Sequence, residues 1–381
     1  MQRSSASRFL CLILCHILGL GLAPLASAQT YQTEKERFRV EVVTPDLEHP
    51  WAVAFLPDGR FLVTEREGRL RLIEADGRLR SAPVAGLPDE VHQHGQGGLL
   101  DVALHPDFAR NHLVYFSYAE RGRGGYGTTV ARARFEDDAL HDTEVLFRMA
   151  LKSRQGRHFG SRLVFDREGH LFITLGDRGD RPRAQDLNDH AGSLIRLSAD
   201  GSVPDDNPFI DTPGALPEIF SYGHRNMQGA TLNPFTGRLW THEHGPQGGD
   251  EINVPEAGVN HGWPVITYGV NYGIGTQIGE GTAKPGMAQP LYYWVPSIAP
   301  SGMTFYDGPH FPGWQGDLFV GSLKFRLLVR LEIEDDRVVH EERMLAGEFG
   351  RIRDVRQGPD GLIYLLTDES NGQLLRLVPA G

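Results

Sequence analysis

Cysteine is nearly absent: Cys11 and Cys15 are the only two, both within the first 28 residues. A chain cleaved after Ala28 therefore has no disulfide, no thiolate metal site and no cysteine nucleophile. A cationic surplus is also missing. Lys and Arg number 38 against 49 Asp and Glu, for a net charge of −11, which argues against a nucleic-acid partner held by electrostatics. No long stretch keeps a helical period. The G-x-S-x-G elbow, the Walker loop and H-E-x-x-H do not occur, so three common catalytic signatures are excluded. Glycine, by contrast, is plentiful at 46 of 381 residues, against an average share of roughly 7%. Such a chain turns often. Its 40% hydrophobic content is enough for a sizeable core.

The first 28 residues read as a secretory signal. Arg3 and Arg8 precede an apolar run from Phe9 to Leu22, and Ala26-Ser27-Ala28 closes it with a small-x-small cleavage pattern. The run is short for a membrane span, so no stable membrane insertion is expected after cleavage. Residues 29–381 are expected to form one mature domain, located in the periplasm. Loss of Arg3 and Arg8 takes its net charge from −11 to −13.

One pattern recurs through the mature chain: a short apolar strand, a Pro/Asp/Gly turn and a second apolar strand. It begins at Trp51–Phe55, Leu99–Leu104, Arg162–Phe165, Gly229–Leu232, Gly302–Phe305 and Ile352–Val355. Turn residues between apolar runs mark antiparallel hairpins. Six such copies, several with a third strand, predict an all-β, six-bladed β-propeller, with two β-sandwiches as the alternative. The Gly/Pro/Tyr/Asn-rich segment near 255–300 reads as a long insertion between the fourth and fifth blades, and long loops in compact folds are usually functional.

Individual motifs carry mixed signals. Gly122–Gly127 matches G-x-G-x-x-G, but Thr128–Phe135 reads as a strand, so the motif is a hairpin loop and not a dinucleotide site. The pairs His92/His94 and His242/His244 have metal-ligand spacing, or are polar residues at a propeller mouth. The segment Gly245–Asn253 joins exposed backbone carbonyls to the adjacent carboxylates Asp250 and Glu251, a donor set suited to Ca²⁺ or simply a solvated turn. Arg162, Arg225, Lys324, Arg326, Arg351 and Arg353 interrupt apolar strands, and convergent cations in an acidic protein suit a multiply anionic ligand.

Gly95–Val102 with His105–Phe108, His158–Val164, Pro204–Phe209, Tyr222–Asn226, Glu243–Asn253, Asn260–Pro264 and Arg351–Arg356 occur in an order that resembles the PQQ-dependent aldose sugar dehydrogenases, relatives of soluble quinoprotein glucose dehydrogenase. The resemblance covers nearly the whole mature chain and implies a six-bladed propeller. It implies oxidation of aldoses at the anomeric carbon to lactones, PQQ and Ca²⁺ as cofactors, and an external electron acceptor. It makes His158 the general base, Asp177 the carboxylate that orients it, and Arg225 the cation beside the quinone oxygen. Gln96, Asn226, Tyr272, Lys324, Arg351 and Arg353 would hold or cover the cofactor. The carbonyls of Gly245 and Pro246 would bind its Ca²⁺, and Glu251 with the backbone of His261 matches a second calcium position.

The chain departs from the glucose enzyme where Arg157 precedes the base and where Arg178–Pro182 follows Asp177. Two other functions stay open on the residues alone. One is a gluconolactonase-like metal-dependent propeller hydrolase, which would need no Lys/Arg cluster. The other is a non-catalytic binding propeller, which would need neither His158 nor Asp177.

Overall fold

The computed structural model describes residues 29–380, so the signal-peptide reading and both cysteines lie outside the described residues. Six antiparallel sheets follow one another along the chain. Blade 1 has three strands, Pro50–Phe55, Phe61–Glu65 and Arg69–Ile73. Blade 2 is built from Leu99–Leu104, Leu113–Gly122, Gly125–Glu136 and Ala139–Arg148. Blade 3 takes Leu163–Phe165, His170–Thr174, Leu194–Ser198 and Ile219–Ser221. Blade 4 comprises Met227–Leu232, Leu239–Glu243, Asp250–Asn253 and Tyr292–Trp294. Blade 5 comprises Pro300–Phe305, Leu318–Ser322, Leu327–Glu334 and Arg337–Met344. Blade 6 begins with Ile352–Gln357, Ile363–Thr367 and Gly372–Pro379. The first strand of each blade touches the first strand of the next, and that of blade 6 touches that of blade 1, so the ring closes. This is the predicted six-bladed propeller.

The Pro/Asp/Gly turns act as expected. In Pro57-Asp58-Gly59 the Leu56 N–H reaches the Arg60 carbonyl at 2.8 Å, and Gly59 sits at φ +86°, a conformation that costs a glycine little. The G-x-G-x-x-G segment is a tight hairpin in which Gly122 pairs with Gly125. Alternation along each strand points apolar side chains at both neighbouring blades. The result is six clusters, one per blade junction: around Trp51 and Phe116, Tyr115 and Leu171, Phe172 and Met227, Trp240 and Val329, Trp314 and Ile363, and Val53 and Leu366. Each fully buried Leu or Phe among them contributes roughly 1.5–3 kcal/mol.

Two features differ from the sequence reading. The ring is locked by the N-terminal strand Arg37–Leu47, which pairs with Gly372–Pro379 and makes blade 6 part N-terminal and part C-terminal; Thr30–Gln32 adds a fifth strand. The long insertion is not between blades 4 and 5. Tyr292–Trp294 pairs with Asp250–Asn253 as the outer strand of blade 4, so residues 254–291 form an excursion within that blade. Among the described residues, no helix is long and apolar enough to cross a membrane.

Candidate active site

The first strands of the blades and the loops at one end surround an axial cavity of about 440 Å³. Its floor and walls include Trp51, Leu100, Phe159, Ala299 and Leu323, and its charged lining is entirely cationic: Arg66, Lys324, Arg326, Arg351 and Arg353. Asp368, just outside, takes Arg353 Nη2 at 2.7 Å and Arg351 Nη2 at 3.4 Å. These guanidiniums hold its carboxyl well below the usual range despite burial. Lys324, Arg326 and Arg66 make no ion pair among the described residues, and the buried Nε atoms of Arg66 and Arg353 have no hydrogen-bond partner. Buried donors without partners are costly. This cavity offers apolar and aromatic walls and three cations without an ion pair among the described residues, Arg66, Lys324 and Arg326, beside Arg351 and Arg353, which share Asp368; this is chemistry suited to a planar polycarboxylate such as PQQ.

Gln96 and Asn226 line the same cavity and also shape the chain beside it. Gln96 Oε1 accepts the His158 N–H at 2.8 Å, and Asn226 Oδ1 accepts the Gly160 N–H at 3.2 Å. His158 is held at φ +57° just before the first strand of blade 3, so its ring turns toward Asp177, in the loop after the second strand. His158 Nδ1 lies 2.5 Å from Asp177 Oδ1. Asp177 also accepts the Gly179 N–H at 2.7 Å and, on its other oxygen, the Trp263 indole N–H at 2.8 Å. Burial opposes ionisation of Asp177, but the bond from His158, the charges of His158 and Arg225 and the Gly179 N–H keep it below the usual carboxylate range. A carboxylate so held accepts the proton on Nδ1, which leaves Nε2 with a free lone pair. Burial lowers the His158 pKa; the bond to Asp177 pulls it back up, while the charges of Arg225 and Arg157 lower it further. The neutral ring, the form able to take a proton, is therefore favoured beyond what an ordinary histidine shows.

Arg225 is buried with its Nη1 bonded to the carbonyls of His244 at 2.9 Å and Gly245 at 2.6 Å. Its Cζ lies 5.4 Å from the Trp263 ring centre. Gly245 has to be glycine. A Cβ there would come within 2.2 Å of the carbonyl oxygens of Gly248 and Gly249, in a loop pinned by the Gly245 N–H to Asp250 at 2.8 Å. The fold thus crowds carbonyls at this corner. Beside it is a void of about 10 Å³, whose lining includes Arg225, Glu243, Glu251, His261 and Thr267. Glu243 and Glu251 are directly opposed across two strands. Glu243 is satisfied by His224 Nδ1 at 2.9 Å, the Arg225 N–H and Asn253 Nδ2 at 3.2 Å. Among the described residues Glu251 has only Asn253 at 3.5 Å, and desolvation followed by the charge of Glu243 pushes its pKa well up. The His261 ring stacks on His224 at 4.4 Å, and both its nitrogens lack partners among the described residues. Two opposed carboxylates beside a one-atom void suit a hard cation.

Gln96, Asn226, Lys324, Arg351 and Arg353 come together in the cavity, and His158, Asp177 and Arg225 form a second group at its edge. Tyr272 stands 65% exposed on the insertion and is not part of the cavity lining. Arg162 does not join the cavity cations. It is fully buried in an axial ion cluster, with Nη1 2.9 Å from Asp354, while Arg356 binds Asp101 at 2.5 Å and Asp354 at 3.0 Å. The histidine pairs are not presented as ligand sets. His242 and His244 bond the carbonyls of Ser301 and Pro300, and His94 stacks on Tyr126 at 4.1 Å. Trp51, Arg66, Gln228 and His244 line the cavity without having been singled out as its residues. Trp51 and Arg66 sit in the first hairpin, where a polar residue after an apolar strand is the only available signal.

The propeller places a cation-lined axial cavity next to a His–Asp dyad, and known proteins define the class. The Glucose / Sorbosone dehydrogenase family model matches residues 47–376. The chain belongs to this family, and it is a dehydrogenase. It is 49% identical over 345 residues to the aldose sugar dehydrogenase YliI of Escherichia coli (strain K12), covering 89% of this chain and 92% of that protein. The apo-form structure of the soluble aldose sugar dehydrogenase from Escherichia coli superposes with a TM-score of 0.87 at 49% identity, covering 90% of this chain and 100% of that one. The PQQ-bound aldose sugar dehydrogenase of Streptomyces coelicolor gives a TM-score of 0.74 at 28% identity, covering 90% and 98% of the two chains.

Proposed function

We propose that this chain is an exported, periplasmic quinoprotein that oxidises aldoses at the anomeric carbon to lactones and passes the electrons to an external acceptor. The observation that carries the reading is the His158–Asp177 dyad, whose His158 N–H is held by Gln96 at 2.8 Å, next to a cavity that Gln96 lines and whose charged lining is all cationic. Lys324, Arg351 and Arg353 would hold the carboxylates of PQQ, with Gln96 and Asn226 beside them. The carbonyls of Gly245 and Pro246 would hold its Ca²⁺, and Glu251 with the His261 backbone a second Ca²⁺. When bound, PQQ supplies the hydride acceptor and Ca²⁺ polarises it.

The residues of the chain supply the proton chemistry. His158 Nε2 takes the proton of the anomeric hydroxyl, so that the C–H electron pair can leave as hydride and the C–O bond becomes a carbonyl. Asp177 keeps Nδ1 protonated and stabilises the imidazolium. Arg225, fixed by two carbonyls and facing Trp263, places positive charge where negative charge develops. Tyr272 on the insertion would cover the site. The test is reconstitution. The apoprotein should reduce a dye with a panel of aldoses only when both PQQ and Ca²⁺ are added. Undiminished activity after exhaustive chelation and PQQ removal would refute the reading.

A further inference from the structure

The turn that carries Asp177 also gathers the cationic side chains of Arg157, Arg178 and Arg181. Arg157 lies directly on it: a Cβ at Gly179 would come within 2.4 Å of Arg157 Nε. Arg181, two residues further on, has its Cζ 5.5 Å from the centre of the Trp263 ring, the same indole that bonds Asp177 at 2.8 Å. Arg178 plays a different part. It is fully buried on Phe159, with its Cζ 3.4 Å from the ring centre, and its N–H groups go to the carbonyls of Arg157 and Gln155. It props the Arg157 backbone beside His158.

Among the described residues, neither Arg157 nor Arg181 makes an ion pair or a side-chain hydrogen bond, whereas the neighbouring Arg183 is committed to Asp189 at 2.7 Å. Asp180, the other carboxylate of the turn, is exposed and pairs with neither. Arg157 is exposed and Arg181 half-buried. A neutral sugar would leave ten N–H donors on these two side chains without a charged acceptor.

Resting on the reading of this site as an aldose dehydrogenase, we propose that Arg157 and Arg181 form an anion subsite beside His158, and that the preferred substrates are aldoses bearing a carboxylate or phosphate group away from the anomeric carbon. A guanidinium fork matches both groups bidentately. The anionic group is not transformed; the anomeric C–H bond breaks to give hydride and the hydroxyl proton goes to His158 as before. Because the contact is made in the ground state and kept in the transition state, it acts mainly through KM.

The experiment uses the enzyme reconstituted with PQQ and Ca²⁺ at fixed ionic strength, with D-glucose, D-glucuronate and D-glucose 6-phosphate as parallel substrates. At least one anionic arm should exceed glucose in kcat/KM by about tenfold or more, and the better arm separates carboxylate from phosphate. Arg157→Gln and Arg181→Gln should collapse that ratio, with KM rising more than kcat falls. Calorimetric binding of the preferred anionic sugar to the apoprotein should weaken in the same variants. If glucose matches both anions and the ratio is the same in the variants, the subsite is wrong and the dehydrogenase reading stands. If PQQ binds but no sugar reduces it, the reading of this site as an aldose-oxidising centre itself fails.

Discussion

Asp177 holds the Nδ1 edge of His158 at 2.5 Å while its other oxygen is fixed by the Trp263 indole at 2.8 Å. The two residues come from loops flanking one hairpin of blade 3, and both are almost wholly removed from water. This arrangement determines which nitrogen of the ring is free, and therefore where a substrate proton goes.

His158→Ala should leave PQQ binding intact and slow cofactor reduction by sugar about 10²–10⁴-fold, the usual range for a lost general base. Asp177→Asn should also slow it, because the imidazolium loses its counter-charge. Stopped-flow spectroscopy at saturating sugar isolates the step. A His158→Ala enzyme that reduces bound PQQ at the wild-type rate would place the base elsewhere.

The pH profile follows from the same environment. The active form of His158 is neutral, and burial lowers its pKa, opposed by the bond to Asp177 and aided by the charges of Arg225 and Arg157. The acid limb of the reduction rate should therefore lie below the ordinary histidine value of about 6.5. Asp177→Asn removes an influence that raises the pKa, so the limb of the residual activity should move to still lower pH. Arg157→Gln removes one that lowers it, so the limb should move up. Rate measurements from pH 4 to 8 read both directions; an acid limb at or above the ordinary value in the wild type contradicts the assignment.

Much of this was legible because it is local. A Pro-Asp-Gly turn writes its hairpin into three adjacent residues, and six hairpins imply a ring. The closing strand was not legible: Val40 pairs with Leu377, and no local turn announces a partner at the opposite end of the chain. Nor was the placement of the insertion, since it depends on the three-residue strand Tyr292–Trp294. Arg162 shows a third limit. Its strand position matched the cavity cations, but two carboxylates from blades 2 and 6, Asp101 and Asp354, claim it. The resemblance to the quinoprotein family supplied the roles of Lys324 and Arg351; spacing alone supplied only their charge.

Arg351→Ala and Lys324→Ala should weaken PQQ binding far more than they slow turnover at saturating cofactor. Each removes a charge-assisted hydrogen bond worth roughly 1.5–3 kcal/mol, about 10- to 150-fold in affinity. Lys324, with no ion pair among the described residues, should show the cleaner effect; Arg351→Ala also releases Asp368, at 3.4 Å. Titration of the apoproteins with PQQ in Ca²⁺ buffer measures both, and unchanged affinity in the two variants would remove these residues from the cofactor site.

Glu251 should give calcium and stability opposite signs in one substitution. Its carboxylate directly opposes Glu243 across two strands, beside a void of about 10 Å³, and has a single bond of 3.5 Å to Asn253. Opposed like charges destabilise a strand pair unless a cation lies between them. Without calcium, Glu251→Gln should therefore raise the melting temperature, because it removes the repulsion and keeps the side-chain volume. With Ca²⁺ at about 100 times its Kd, the wild type should gain about 2.7 kcal/mol, a rise of roughly 3–4 °C for a domain of about 350 residues, at about 1.4 °C per kcal/mol. The variant should lose the part of that gain that comes from this position. Thermal melts of both proteins, with chelator and across a calcium titration in the absence of PQQ, separate the two effects. A variant that is less stable than the wild type in chelator, yet gains as much from calcium, would show that Glu251 is not a calcium ligand.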